Sequence, residues 1–203
     1  ISSYSLTLDG VGNHLQSDHN EPLNPHFQAE DINYTYDADN RLISAGGVAV
    51  GYDDNGNMTS KGEETYTYDF ENRLTQAIID GIWYQYVYDG VGNRKQSTTG
   101  GDTTRYILDT NGSLAHVLAE SDETGAIDTY YIYGRGLIAQ ISPSGTSYYH
   151  YDVRGSTVAL TDASADLTDA YAYSPFGTVL NEQGTTENPF KYVGRFGLMD
   201  EGN

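Results

Sequence analysis

The chain has 203 residues, with 29 Asp and Glu against 10 Lys and Arg, and a formal net charge of −19 at pH 7. Such a field repels phosphate backbones and anionic lipid, which excludes nucleic-acid binding and membrane insertion driven by basic residues. No apolar run reaches the length of a membrane-spanning helix, and the absence of Cys removes disulfides, thiolate catalysis and Cys-ligated zinc together. Tyr contributes 19 residues and Gly 23, so Tyr has to supply much of the area a core would bury. The chain begins at Ile1 without a charged segment followed by an apolar one, and is expected to be a piece of something longer.

In chain order, related segments recur. A degenerate copy at Leu8-Asp9 leads into a Pro-containing loop over residues 21–27. Clear copies follow at Tyr34-Thr-Tyr-Asp-Ala-Asp-Asn-Arg-Leu-Ile43, Tyr66-Thr-Tyr-Asp-Phe-Glu-Asn-Arg-Leu-Thr75 and Tyr86-Val-Tyr-Asp-Gly-Val-Gly-Asn-Arg-Lys95. Looser ones start at Gly51, Tyr106 and His150, and degenerate ones stand at Tyr133-Gly134, Tyr173-Ser174 and Tyr192-Val193. The Tyr of Tyr-Asp, or its counterpart, falls at 8, 36, 52, 68, 88, 108, 133, 151, 173 and 192, a spacing close to twenty residues.

Each copy has the grammar of a β-hairpin. Tyr-x-Tyr puts two aromatic rings on one face of a strand, because side chains alternate with a period of two. Asp then opens a turn in which Asn or Gly accepts positive φ, as at Asp39-Asn40, Asn55-Gly56, Gly92-Asn93 and Asn111-Gly112. The chain returns through short β-prone runs such as residues 77–79, 137–141 and 158–160. No window keeps a 3.6-residue period for three turns; residues 162–168 come nearest and are too short. The expected fold is all-β: tandem antiparallel hairpins stacked in a spiral, solenoid-like sheet, in which neighbouring repeats bury what one hairpin cannot.

At these residues the chain resembles the YD-repeat, or RHS-repeat, proteins, whose repeat reads Tyr-Asp-x-x-Gly-Asn-Arg-Leu. The segments Tyr151-Asp-Val-Arg-Gly-Ser-Thr-Val-Ala-Leu-Thr-Asp162, Tyr171-Ala-Tyr-Ser-Pro-Phe-Gly177 and Asn188-Pro-Phe-Lys-Tyr-Val-Gly-Arg195 are similar to the RHS-associated core. The resemblance implies a long spiral of hairpins. In bacterial members it winds into a shell around a C-terminal toxin released by an aspartyl autoproteolytic segment, and in animal teneurins a related shell serves cell adhesion. Past the Gly197-Leu-Met-Asp200 stretch the family continues into a Tyr/Arg-rich strand and a cleavage motif, and this chain is expected to carry neither protease nor toxin. Ten repeats are also too few to close a shell. The expected organisation is a degenerate first repeat and loop over 1–30, hairpin repeats over 31–145 and core-like repeats over 146–203.

The residues expected to carry the repeat are Tyr34, Tyr36 and Asp37; Tyr66, Tyr68 and Asp69; Tyr86, Tyr88 and Asp89; Tyr151, Asp152 and Gly155; and Tyr171, Tyr173, Pro175, Phe176 and Gly177. Three acidic pairs stand close in sequence: Asp53 with Asp54, Glu63 with Glu64, and Asp200 with Glu201. Acids recur at turn positions in repeat after repeat, which turn chemistry requires anyway, so no enzyme and no catalytic residue is expected. Asp53-x-Asn55-x-Asn57, with Glu64 at the twelfth place, imitates a calcium loop. The imitation fails at Met58, where such a loop needs Gly, so no cofactor or metal site is expected beyond adventitious calcium at the Asp/Asn turns. His14 and His19 sit in a loop-like stretch; with His26, His116 and His150 they read as polar residues without a third metal ligand. No Gly-x-Ser-x-Gly elbow is present.

The expected role is therefore structural: a shell segment, or an extracellular element that assembles end to end with itself through its open strand edges. Two alternatives stand beside it. One is the encapsulating part of an exported toxin; the other is a glycan-binding adhesion module in which Tyr and the single Trp83 stack on sugar rings. Expected partners are thus the chain itself or the rest of a longer shell, with glycans as the runner-up, and the expected location is extracellular or at the cell surface. The sequons at Asn33, Asn57 and Asn111 would be accessible at turns in an organism that glycosylates such proteins.

Overall fold

The computed structural model of the chain describes residues 3–12, 14–25, 31–112 and 114–200. The Asp of each Tyr-Asp pair builds the same turn. At Asp69 the backbone N–H groups of Glu71 and Arg73 donate to one carboxylate oxygen at 2.9 and 3.0 Å, and Arg73 Nε donates to the other at 2.8 Å. The Asp69 N–H in turn donates to the Arg73 carbonyl at 3.0 Å. Asp37, Asp53, Asp89, Asp122, Asp152 and Asp162 repeat the paired backbone bonds, and Ser174 makes them with its hydroxyl. Three residues after the Asp the chain turns left-handed: φ is 61° at Asn72, 91° at Gly155 and 65° at Ala165. Asn and Gly visit that region cheaply, whereas Ala does so at a cost of about 1 kcal/mol. The Ala163-Ser-Ala-Asp stretch, the nearest approach to a helix in the sequence, is one of these turns.

Among the described residues the turns connect eighteen strands. β1 (Ser3–Leu8) and β2 (His14–Asn20) form a hairpin of their own. Then come β3 (Tyr34–Tyr36), β4 (Leu42–Ala45), β5 (Val48–Tyr52), β6 (Met58–Lys61), β7 (Glu64–Tyr68), β8 (Leu74–Ile79), β9 (Ile82–Tyr88), β10 (Arg94–Thr99) and β11 (Asp102–Asp109). The remainder are β12 (His116–Ser121), β13 (Ile127–Tyr133), β14 (Leu137–Ser142), β15 (Gly145–Tyr151), β16 (Thr157–Thr161), β17 (Leu167–Tyr173) and β18 (Val179–Gln183), followed by one 3₁₀ turn at Gly194–Phe196. β3 to β18 make an antiparallel sheet in strict chain order, open at both edge strands. Its meander topology is the expected one. Two details differ from the sequence reading. His14 and His19 belong to strand β2 rather than a loop, because Asp9 opens the same kind of turn there, accepting the Val11 N–H at 3.0 Å. Tyr192-Val193, read as a repeat, is not a hairpin; it belongs to a segment described below.

The chain divides into two compact units: residues 28–108 with 120–127, and residues 1–27, 109–119 and 128–203. In the first, the period of two sends Tyr84, Tyr86 and Tyr88 to one face of β9 and Trp83, Gln85 and Val87 to the other. Repeats are joined on the Tyr face. The Tyr52 and Tyr88 hydroxyls donate to the carbonyls of Leu42 and Leu74 at 2.8 and 2.7 Å. The guanidiniums of Arg41 and Arg73, already held by their turn Asp, lie over the Tyr52 and Tyr88 rings at 5.5 and 5.1 Å. Each turn therefore grips the next repeat. Tyr34 and Tyr36 are over half exposed, since they sit on the edge strand β3.

The second unit uses the same joints, with Tyr151 and Tyr173 donating to the carbonyls of Leu137 and Thr157 at 2.8 and 2.6 Å. Burial is much deeper here. Val158, Ala159, Leu160, Ala170, Tyr171 and Ala172 are at most 3 % exposed. The Tyr130-Tyr131 and Tyr148-Tyr149 doublets necessarily put one ring on each face; Tyr131 and Tyr149 are buried while Tyr130 and Tyr148 are exposed. On that second face Leu23 covers Ala170 and Ala172.

These turns predict an acid limit. Hydrogen bonds to the carboxylates, chiefly from the Arg41 and Arg73 N–H groups and the Asn57, Asn93 and Thr124 side chains, hold Asp37, Asp69, Asp53, Asp89 and Asp122 below the ordinary value of 3.8. Stability from such lowered groups is present above the unfolded value and is lost as pH falls through the folded one. Melting temperature is expected to hold or rise slightly from neutrality to about pH 5, as charge repulsion eases, and to drop steeply below about pH 4. A melting temperature still rising at about pH 3 would contradict the turn assignment.

Candidate functional site

Residues 184–200 form a strap that crosses the Tyr face of the second unit. It is fastened at its start by buried Asp169, whose carboxylate accepts the Thr186 N–H at 2.9 Å and the Thr186 hydroxyl at 2.5 Å. Gln140, 2 % exposed on β14, donates through Nε2 to the Glu187 carbonyl at 2.9 Å. The Tyr149 hydroxyl donates to Gln140 Oε1 at 2.6 Å and leans on Asn188 Oδ1 at 3.1 Å. Phe190 is fully buried, its ring edge-on to Tyr131 with centroids 4.9 Å apart, and its carbonyl accepts the Thr157 hydroxyl at 2.5 Å.

Beyond Phe190 the strap runs back over the turns. The Thr157 N–H donates to the Lys191 carbonyl at 2.9 Å and the Arg195 N–H to the Gly155 carbonyl at 3.1 Å. Two glycines are required by this contact: a Cβ on Gly155 would stand 2.6 Å from the Phe196 ring, and one on Gly177 2.6 Å from the Tyr192 ring. The Tyr192 hydroxyl donates to the Pro175 carbonyl at 3.0 Å, and the Arg195 guanidinium lies 5.9 Å from the Tyr151 ring. Burial pushes Tyr171 up to about 12 and raises Tyr151 and Tyr173 further. These hydroxyls stay protonated, and those of Tyr151 and Tyr173 donate to backbone carbonyls.

The structure thus brings Tyr151, Asp152, Gly155, Tyr171, Tyr173, Pro175 and Gly177 together under one strap. In the other unit Asp37, Asp69 and Asp89 build turns, Tyr88 makes a joint and Tyr86 is buried, whereas Tyr34 and Tyr36 are exposed, the Tyr66 hydroxyl donates to Glu64 and Tyr68 is half-buried. Phe176 lies 95 % exposed at the rim of a cleft of about 820 Å³ that runs along β18 and is lined also by Leu180, Glu182, Lys191, Tyr192 and Asp200. In the cleft Lys191 Nζ stands 3.1 Å from Glu182 and 3.6 Å from Asp200, an ion triad. Asp169, Gln140 and Asn188 are the site residues that sequence reasoning missed, because a polar residue buried under a strap has no periodic signature.

Asp53 is engaged by its turn, and Glu64 accepts the Tyr66 hydroxyl at 2.7 Å and faces Lys61 at 3.6 Å; Glu201 lies outside the described residues. Among the described residues no group of three or more acidic or His side chains is placed to hold a metal ion. His150 bonds the Thr161 hydroxyl at 3.0 Å and its pKa is lowered by burial; the His116 ring packs on Tyr133 at 4.8 Å; His26 lies outside the described residues. Asn33 is exposed. The Asn57 amide donates to Asp53 and Asn72 at 2.9 and 2.8 Å; a glycan there would displace one of these bonds. The Asn111 amide donates to Asp109 at 2.8 Å, and Ser113 of its sequon lies outside the described residues.

With the repeat joints and strap in view, comparison with known proteins is decisive. The sequence model of the Teneurin YD-shell matches residues 12–201. The chain belongs to the YD-shell family. It is 32 % identical over 171 residues to the tRNA nuclease WapA of Bacillus subtilis, covering 80 % of this chain, and 25 % identical over 205 residues to Teneurin-1 of Gallus gallus, covering 97 %. In both cases it spans 7 % of the relative's length. Among solved structures, the Photorhabdus luminescens Tc holotoxin pore and the TcdB2-TccC3-Cdc42 crystal structure share the fold, with TM-scores of 0.56 and 0.54. The identity is 14 %, and 96 % of this chain and 14 % of each of those chains are covered.

The strap is expected to depend on one ring. Phe190→Ala should cost about 3–5 kcal/mol, as deep aromatic truncations do, and should expose residues 184–200 to limited proteolysis before the hairpins of residues 31–108 are cut. A loss under about 1 kcal/mol with unchanged cleavage would show that the strap is held by its hydrogen bonds alone.

Proposed function

We propose that this chain is a non-enzymatic wall segment of a larger YD-type β-shell, exported or displayed outside the cell, whose edge strands are completed by neighbouring repeats. The observation that carries this reading is the open sheet: among the described residues β3 and β18 each have a strand partner on one side only, and such edges invite pairing. The relatives support it, being many times longer than this chain. An exported location fits the teneurin and toxin relatives. Pairing of one copy with another at the same edges is the competing outcome. A second reading, the encapsulating shell of an exported toxin, is favoured by the similarity to Tc toxin components and to tRNA nuclease WapA.

Hydrogen exchange tests the edges. In the isolated chain at low concentration, amides of β3 and β18 should exchange orders of magnitude faster than those of β15 and β16. They should slow when the chain is produced with the repeats that flank it in its parent protein. Edge protection that instead rises with concentration of the chain alone would assign the edges to self-assembly. Cleavage of total tRNA by the purified chain would contradict the non-enzymatic role.

A further inference from the structure

On the face of the first unit opposite the Tyr joints, antiparallel register sets five side chains side by side across β7 to β11. Thr67 pairs with Gln76, Gln76 with Gln85, Gln85 with Thr98 and Thr98 with Thr103. Trp83 stands two residues from Gln85 on the same face of β9, 52 % exposed, and it is the one Trp in the chain.

Three properties of this row point the same way. It holds no charge, although the chain carries 29 acidic residues; the nearest charged side chain by register is Arg105, opposite Gln96 in the adjacent row. Its polar groups are amides and hydroxyls, which donate and accept at once. The Gln76 and Gln85 amides have no hydrogen-bond partner among the described residues, so both functions are available to a ligand. Finally, the row advances by the strand spacing of about 4.8 Å per side chain, close to the advance per sugar of an extended pyranose chain.

We propose that this face binds an uncharged polysaccharide, with Trp83 stacking on the C–H face of one sugar and the Thr67–Gln76–Gln85–Thr98–Thr103 row exchanging hydrogen bonds with the hydroxyls of successive ones. The occupant follows from the chemistry. A nucleic acid or polyuronate is repelled by the net charge. A protein partner would meet a strip too polar and too narrow to form a desolvated core. The apolar rim around Trp83 and the mixed donor–acceptor row fit a ring that is apolar on its faces and polar at its edge. The proposal does not rest on the shell reading.

Because Trp83 is unique, its fluorescence reports this face alone. The full chain is titrated with cellohexaose, laminarihexaose, xylohexaose and chitohexaose, with calorimetry as a second readout. At least one should give a saturable Trp shift. Trp83→Ala should weaken that binding by about tenfold or more, equivalent to ~1.4 kcal/mol, and Gln85→Ala by roughly threefold. Tyr130→Ala, exposed in the other unit, should leave it unchanged. Unaltered melting confirms that the variants fold. No saturable shift with any of the four overturns the proposal, as does calorimetric binding that persists within about twofold in Trp83→Ala. Loss of self-association in Trp83→Ala would assign the face to a second copy and overturn it equally.

Discussion

The structure depends on a carboxylate that serves two masters at each turn. One oxygen of the turn Asp gathers two backbone N–H groups and so fixes the reversal of the chain. At Asp37, Asp53, Asp69 and Asp89 the other holds the side chain four residues on. Where that side chain is Arg, its guanidinium is carried to the ring of the Tyr that closes the next repeat, as Arg73 is carried from Asp69 to Tyr88. That Tyr reaches back with its hydroxyl to the first carbonyl after the turn. Local turn chemistry and contact between repeats are thus one interaction. Individually the exposed cation–ring contacts contribute about 0.5–1 kcal/mol, but they recur with every Arg-bearing repeat.

A sheet built this way has one wet face too many. The two units handle that differently. Where the strap lies over the Tyr face, buried Asp169, Gln140 and Asn188 anchor it and Phe190 fills the gap left between aromatic rings, so β16 is buried along its whole length. Where the chain supplies no such cover, among the described residues only Ala77 and Tyr86 are buried apolar side chains. The first unit is accordingly the part whose burial relies on repeat joints.

Much of this was readable from residues alone. Tyr-x-Tyr followed by Asp and a Gly or Asn three residues later specifies strand, face and turn type at once, so the hairpin meander was legible at Tyr66 to Leu74 without any tertiary information. The three core-like segments could be named as segments, but their meeting under one strap could not. Nothing in the pattern of residues 188–195 says that Phe190 meets Tyr131, fifty-nine positions earlier, rather than any other ring. Likewise Tyr130 and Tyr131 are chemically identical, and only the register decides which of them is buried. The Tyr192 copy misled because its Tyr packs as a strap residue on Gly177 rather than opening a turn. At Asn57 the sequence shows a turn position, and only the structure shows that its amide is engaged by Asp53 and Asn72.

The central claim, that the turn Asp–Arg pair is also the joint to the next repeat, is tested most directly by a double-mutant cycle on Arg73 and Tyr88. Arg73→Leu, Tyr88→Leu and the double variant are unfolded by denaturant at neutral pH and moderate salt. The account predicts a coupling energy of at least about 0.5 kcal/mol, with both single variants destabilised. Strictly additive losses, within about 0.3 kcal/mol, would mean that the turn and the inter-repeat contact are independent, and the account would be wrong.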